Sequence, residues 1–124
     1  MIRRRILAGL AAIGVVAVGF VVFGADDDAA EREYTAYLRS DEDGSAARNE
    51  ARLDRAIGLE PGRSHYYEAR GTLRIDAGDA EGALDDYDRA ITLADRPYVR
   101  YLRASALSQR GDYLRALTDF DHAI

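Results

Sequence analysis

Residues 78–91, GDAEGALDDYDRAI, return 33 positions later as GDYLRALTDFDHAI, residues 111–124. Eight of the 14 aligned positions are identical, and Tyr87 meets Phe120, one aromatic for another. A near-copy at a fixed offset confines the chain to an array of supersecondary units, each unable to bury its apolar face alone. A weaker third copy precedes these two. Gly44 and Gly78, Ala56 and Ala90, and Leu59 and Leu93 all stand 34 residues apart. Residues 30–63 thus read as a degenerate first unit, in which Asn49 replaces the alanine found at Ala83 and Ala116.

Each unit reads as two helices. Gly78 and Gly111 suit the left-handed residue that closes a first helix, and Asp79 and Asp112 then cap the second. Ser45 caps the helix over Ala46 to Leu59, which Pro61 and Gly62 stop. Pro97 fits a first turn, where its missing N–H costs nothing. Gly71, Ala83, Ala90, Ala104, Ala116 and Ala123 are small where two helices would cross closely, and Tyr87 and Phe120 fill the space between them.

The N-terminus is different in kind. Residues 6–24, ILAGLAAIGVVAVGFVVFG, carry no charge, and about 20 apolar residues suffice to span a bilayer as a helix. Arg3, Arg4 and Arg5 precede this run, and Asp26, Asp27 and Asp28 come after it. Cations stay on the cytoplasmic side. The expectation is one N-terminal transmembrane helix over 1–24, an acidic linker over 25–29, and repeats facing the periplasm or the cell exterior. The alternative is a signal peptide cleaved after Gly24, although the apolar run exceeds the usual 7–15 residues. Ala8 and Ala12 have the small-xxx-small spacing of packed membrane helices.

Composition excludes several functions. After residue 25 there are 14 arginines, no lysine and 22 acidic residues, net −8. Such a surface repels phosphate backbones, which argues against nucleic acid as a partner. The chain has no cysteine, so disulfides, thiolate metal sites and a cysteine nucleophile are ruled out. Three consecutive aspartates on a helix diverge by about 100° per residue and do not converge on one ion. Asp41-Glu42-Asp43-Gly44 fails as a calcium loop, because with Gly44 in sixth place the first ligand would be Arg39. There is no phosphate-binding glycine loop, zinc helix motif or nucleophile elbow. His65 and His122 stand far apart with no relay partner, and His65 reads as a surface residue. Asp85, Asp86 and Asp88 read as a solvated helix face. The expectation is a protein without catalysis, cofactor or metal.

Units of about 34 residues with an A-x₃-F/Y pattern and a closing proline resemble the tetratricopeptide repeat (TPR). The matching residues are Tyr67, Gly71, Ala83, Tyr87 and Ala90 in one unit, Ala104, Leu107, Ala116, Phe120 and Ala123 in the next, and Pro61 at the close of the first. The departures are Arg70 and Arg103 in place of leucine, Arg74 and Arg100 in aromatic positions, and Asp95 where proline is usual. Because the replaced leucine faces inward, the stems of Arg70 and Arg103 are expected to snorkel.

The resemblance implies an all-α TPR-like α-solenoid of about 2.5 repeats over 30–124, divided as 30–63, 64–97 and 98–124, the last without a capping helix. It implies a groove lined by the first helix of each unit: His65, Glu68, Thr72 and Asp76, then Tyr98, Tyr101, Ser105 and Gln109. The partner would be a protein or peptide. The Lys and Asn with which some family members grip a chaperone's C-terminal carboxylate are not matched; Glu68, Thr72 and Leu102 stand there. At the far end Leu114, Leu117 and Ile124 should be partly exposed, offering contact to a partner or to a second copy of the chain. These expectations combine into a scaffold or adaptor held in the cytoplasmic membrane through residues 6–24. The alternatives are a soluble exported repeat protein and an accessory fragment of a larger membrane enzyme.

Overall fold

In the computed structural model, residues 28–40 and 45–124 are described. They form helices and no strand: α1 over 28–38, α2 Ala46–Leu59, α3 Ser64–Asp76, α4 Ala80–Leu93, α5 Pro97–Arg110 and α6 Tyr113–Ala123. From α2 to α6 each helix packs against the next, and α3 also touches α5. Among the described residues the array therefore grows by stacking neighbours. The charged and apolar runs of residues 1–27, and the turn over 41–44, lie outside the described residues. No described helix is long and apolar enough to cross a membrane.

The helix ends reflect local chemistry. Gly78 and Gly111 sit at φ 82° and 88°. Asp79 and Asp112 N–H then reach back to the carbonyls of Arg74 and Leu107 at 2.8 and 2.9 Å. That is the closing pattern in which only glycine adopts the left-handed turn without cost. The Ser45, Asp79 and Asp112 side chains accept from the N–H groups of Arg48, Gly82 and Arg115, and Pro97 opens α5.

The core is built from small residues closed over by aromatics. Ala83, Tyr87, Ala90, Ala104, Leu107 and Ala116 belong to one buried cluster. Tyr87 lies close on Gly71: a Cβ there would come within 2.7 Å of Tyr87 Cε1. A second cluster joins Ala30, Ala56 and Tyr66, with Tyr34 and Ile57 against it. Tyr66 is fully buried, whereas the repeat pattern singles out its neighbour Tyr67.

Two sequence readings are corrected. Asp86 is not on a solvated face; it is 3 % exposed, and its repeat equivalent Asp119 is 2 % exposed. Nor do Arg70 and Arg103 snorkel. Arg70 grips Asp86 with two bonds, Nε to Oδ2 at 3.0 Å and Nη2 to Oδ1 at 2.7 Å, while Arg74 Nη1 adds a third at 3.0 Å. Thirty-three residues on, Arg103 holds Asp119 at 2.6 and 2.7 Å, and Arg100 Nη1 adds a bond at 3.3 Å. Each leading arginine also donates backwards: Arg70 to Asp54 on α2 at 2.9 Å, and Arg103 to Asp88 on α4 at 2.8 Å. One guanidinium therefore ties three successive helices. The physical reason is donor count. A carboxylate inside the array needs several charge-assisted bonds to offset desolvation, and the planar fork of arginine supplies them where leucine could not.

Asp86→Ala leaves Arg70 and Arg74 without their buried partner, and urea denaturation should show a loss of about 3–5 kcal/mol. Asp54→Ala, which removes only an exposed end of the same network, should cost under about 1 kcal/mol. Gly71→Ala should cost about 1–3 kcal/mol by overpacking against Tyr87; an unchanged midpoint would mean that the ring does not rest there.

Candidate functional site

The groove positions expected from the sequence form matching stripes on two helices. Residues 65, 68, 72 and 76 fall at helical steps of three and four on α3, and 98, 101, 105 and 109 repeat them on α5. The stripes differ in what they leave free.

The α3 stripe is largely occupied by the protein itself. His65 is half-buried, which corrects its reading as a surface residue. Its ring meets Tyr34 edge-on at 4.8 Å and Tyr66 at 4.5 Å. Burial pushes the imidazole below its ordinary pKa, partly countered by Glu31. The Tyr66 phenol is pushed up to about 12, first by burial and then by Glu31 and Glu60; it donates towards Glu31 at 3.3 Å. Glu68 is ion-paired with Arg96, just before α5. The Thr72 hydroxyl meets the Tyr87 hydroxyl at 3.2 Å. Asp76 is exposed at the end of α3.

The α5 stripe is open. Tyr98 and Tyr101 are 59 % and 52 % exposed, Ser105 is half-buried and Gln109 exposed. Tyr101 tilts against Phe120 at 5.8 Å between ring centres. Beside these rings lies a mostly apolar hollow of about 430 Å³, lined by Pro97, Tyr98, Tyr101, Phe120, Ala123 and Ile124. Two exposed tyrosines give contact area at low entropic cost, and the hollow can accept an aliphatic or aromatic side chain. Sequence reasoning found the tyrosines but not the hollow, whose wall combines α5 with the last turn of α6.

Leu114 and Leu117 lie outside this hollow, and Ile124 belongs to its wall. All three are exposed, Leu114 by 83 %. Asp121, also on α6, is exposed. No group of His, Asp or Glu among the described residues is placed to hold a metal ion.

No family model and no curated protein matches the chain. Solved structures do. The second TPR of Spaghetti (RPAP3) bound to the HSP90 peptide SRMEEVD superposes with a TM-score of 0.74, at 19 % identity, over 80 % of this chain and 93 % of that one. The MamA protein gives 0.72 at 20 % identity, over 77 % of this chain and 52 % of its own. The type III secretion translocator chaperone SycD of Yersinia enterocolitica gives 0.71 at 18 % identity, over 77 % and 72 %. The chain thus has the helical-repeat fold of TPR proteins, while spanning about half the length of MamA.

His65 supplies a pH test of the α3 stripe. Its pKa is lower folded than unfolded, so below about 6.5 the unfolded chain binds the extra proton more readily. Stability should therefore fall as pH drops from 7 through 6.5 towards 5. His65→Gln should remove His65's share of that fall, read as a difference between the two proteins' denaturation midpoints across the range.

Proposed function

We propose that this protein is a non-catalytic scaffold that holds a segment of another protein across the α5 stripe. The carrying observation is the contrast between the stripes: α3 uses its side chains for internal bonds, whereas α5 presents Tyr98, Tyr101, Ser105 and Gln109 beside an open apolar hollow. The solved structures of the same fold include one bound to a peptide and one named a chaperone, which supports a binding role. The partner segment would carry an apolar anchor for the hollow. An acidic tail of the SRMEEVD kind suits this chain poorly, because the corresponding side chains include Glu68 and Thr72, and Asp76 closes the stripe.

The scaffold would be held at a membrane. Residues 6–24, flanked by Arg3-Arg4-Arg5 and Asp26-Asp27-Asp28, would tether the repeats to the cytoplasmic membrane with the groove facing outwards. The chain has no cysteine, so a single Gln109→Cys is a clean reporter. In intact cells a membrane-impermeant maleimide should label it; labelling only after lysis would place the repeats inside and overturn the orientation.

Partner capture is the test of the groove. Tyr101→Ala should weaken capture about tenfold or more, in line with the loss of a central aromatic contact, with helicity unchanged by circular dichroism. Equal capture by both proteins would remove the α5 stripe from the site.

A further inference from the structure

The arginine clamps decide the charge of the groove. Every arginine on α3 and α5 is held by an acid that lies off the stripes: Arg70 and Arg74 by Asp86, Arg100 and Arg103 by Asp119, and Arg110 by Glu81. The two stripes themselves carry Glu68 and Asp76 and no lysine or arginine. Arg96, from the turn before α5, answers Glu68. Asp76 is exposed, and no ion pair or hydrogen bond reaches its carboxylate among the described residues. Its place is an unfavourable one for an acid. It is the last residue of α3, where the helix dipole presents partial negative charge and a cation is preferred.

Thr72 stands one helical turn before Asp76 on the same face, its hydroxyl against that of Tyr87. Their counterparts 33 residues on, Ser105 and Gln109, hold the same places on α5. α4 packs against both helices and α3 touches α5, so one segment can lie against both stripes. Resting on the binding role proposed above, we infer that this segment is cationic, with an arginine or lysine seated between the Asp76 carboxylate and Gln109. Its apolar residue rests on Tyr101, eight residues and about 12 Å from Gln109 along α5. An extended chain covers that distance in about four residues. The partner is therefore a stretch that sets a cation four places from an apolar side chain. The exposed faces of Tyr98 and Tyr101 favour the same sign of charge, and the net −8 after residue 25 draws such a segment in.

A displayed library of random linear peptides, selected on the full chain in detergent, is the probe. The wild type should enrich arginine or lysine four places from an apolar residue. Asp76→Arg should shift that place to aspartate or glutamate. A peptide recovered on the wild type should bind Asp76→Asn about fivefold more weakly. The same peptide should bind Asp85→Asn, which loses an exposed acid on α4 away from the stripes, within about twofold of wild type. That contrast separates a specific pair from the general attraction between a cationic peptide and an acidic protein. Tyr101→Ala tells the two readings apart. If it abolishes enrichment while Asp76→Arg selects the same sequences as the wild type, the groove stands and the inferred cation falls. If Tyr101→Ala changes nothing, the groove itself falls and takes the inference with it. No enrichment on the wild type, or enrichment of acids at that place, also overturns the inference.

Discussion

A carboxylate buried between helices and held by two arginines is the constraint around which this array is arranged. Removed from water, Asp86 and Asp119 would be strongly unfavourable alone; gripped by Arg70 with Arg74, and by Arg103 with Arg100, they lock helix register within a unit. An apolar contact tolerates sliding. A two-pronged guanidinium bond does not, because a shift of one residue loses both prongs. The third donor of each leading arginine then fixes the unit to the helix before it. The small residues at the crossings and the ring of Tyr87 on Gly71 complete the close approach that the bond geometry requires.

Much of this was readable beforehand. The 33-residue echo, the glycines with positive φ and the capping aspartates each have a local cause written in the residue itself. The clamps were not read, because their partners stand 16 residues apart on different helices and each looks ordinary alone. Asp86 passes for one more acid in an acidic helix, and Arg70 for a tolerated intruder at a leucine position. The signal lay in the repeat: Arg70 with Asp86 and Arg103 with Asp119 recur together at the same step. In the degenerate first unit both members change together, to Ala36 and Arg52. There Arg52 turns back to the carbonyl of Ala36 at 3.3 Å. A position that looks wrong in two copies, paired with an acid that persists in the same two, is a bond waiting to be named.

The candidate site shows the opposite limit. The family resemblance implied all eight groove residues, on matching stripes, yet it could not separate the stripe already occupied by the fold from the one left open. That difference depends on neighbours contributed from elsewhere: Tyr34 on α1 for His65, Arg96 for Glu68, Tyr87 on α4 for Thr72. On α5, Tyr101 has Phe120 as its ring neighbour among the described residues and still keeps half its surface free. Equal positions in a repeat thus acquire unequal chemistry from the helices that pack against them.

The arginine that spans three helices also sets the grain of the molecule. In a solenoid whose units touch only their neighbours, stability divides into a part belonging to each unit and a part belonging to each junction. Here the same side chain contributes to both, since breaking Arg70 from Asp54 and Asp86 loosens a junction and a unit at once. Junction and unit are thereby coupled through one residue, with the buried Asp86 end the stronger arm and the half-exposed Asp54 end the weaker.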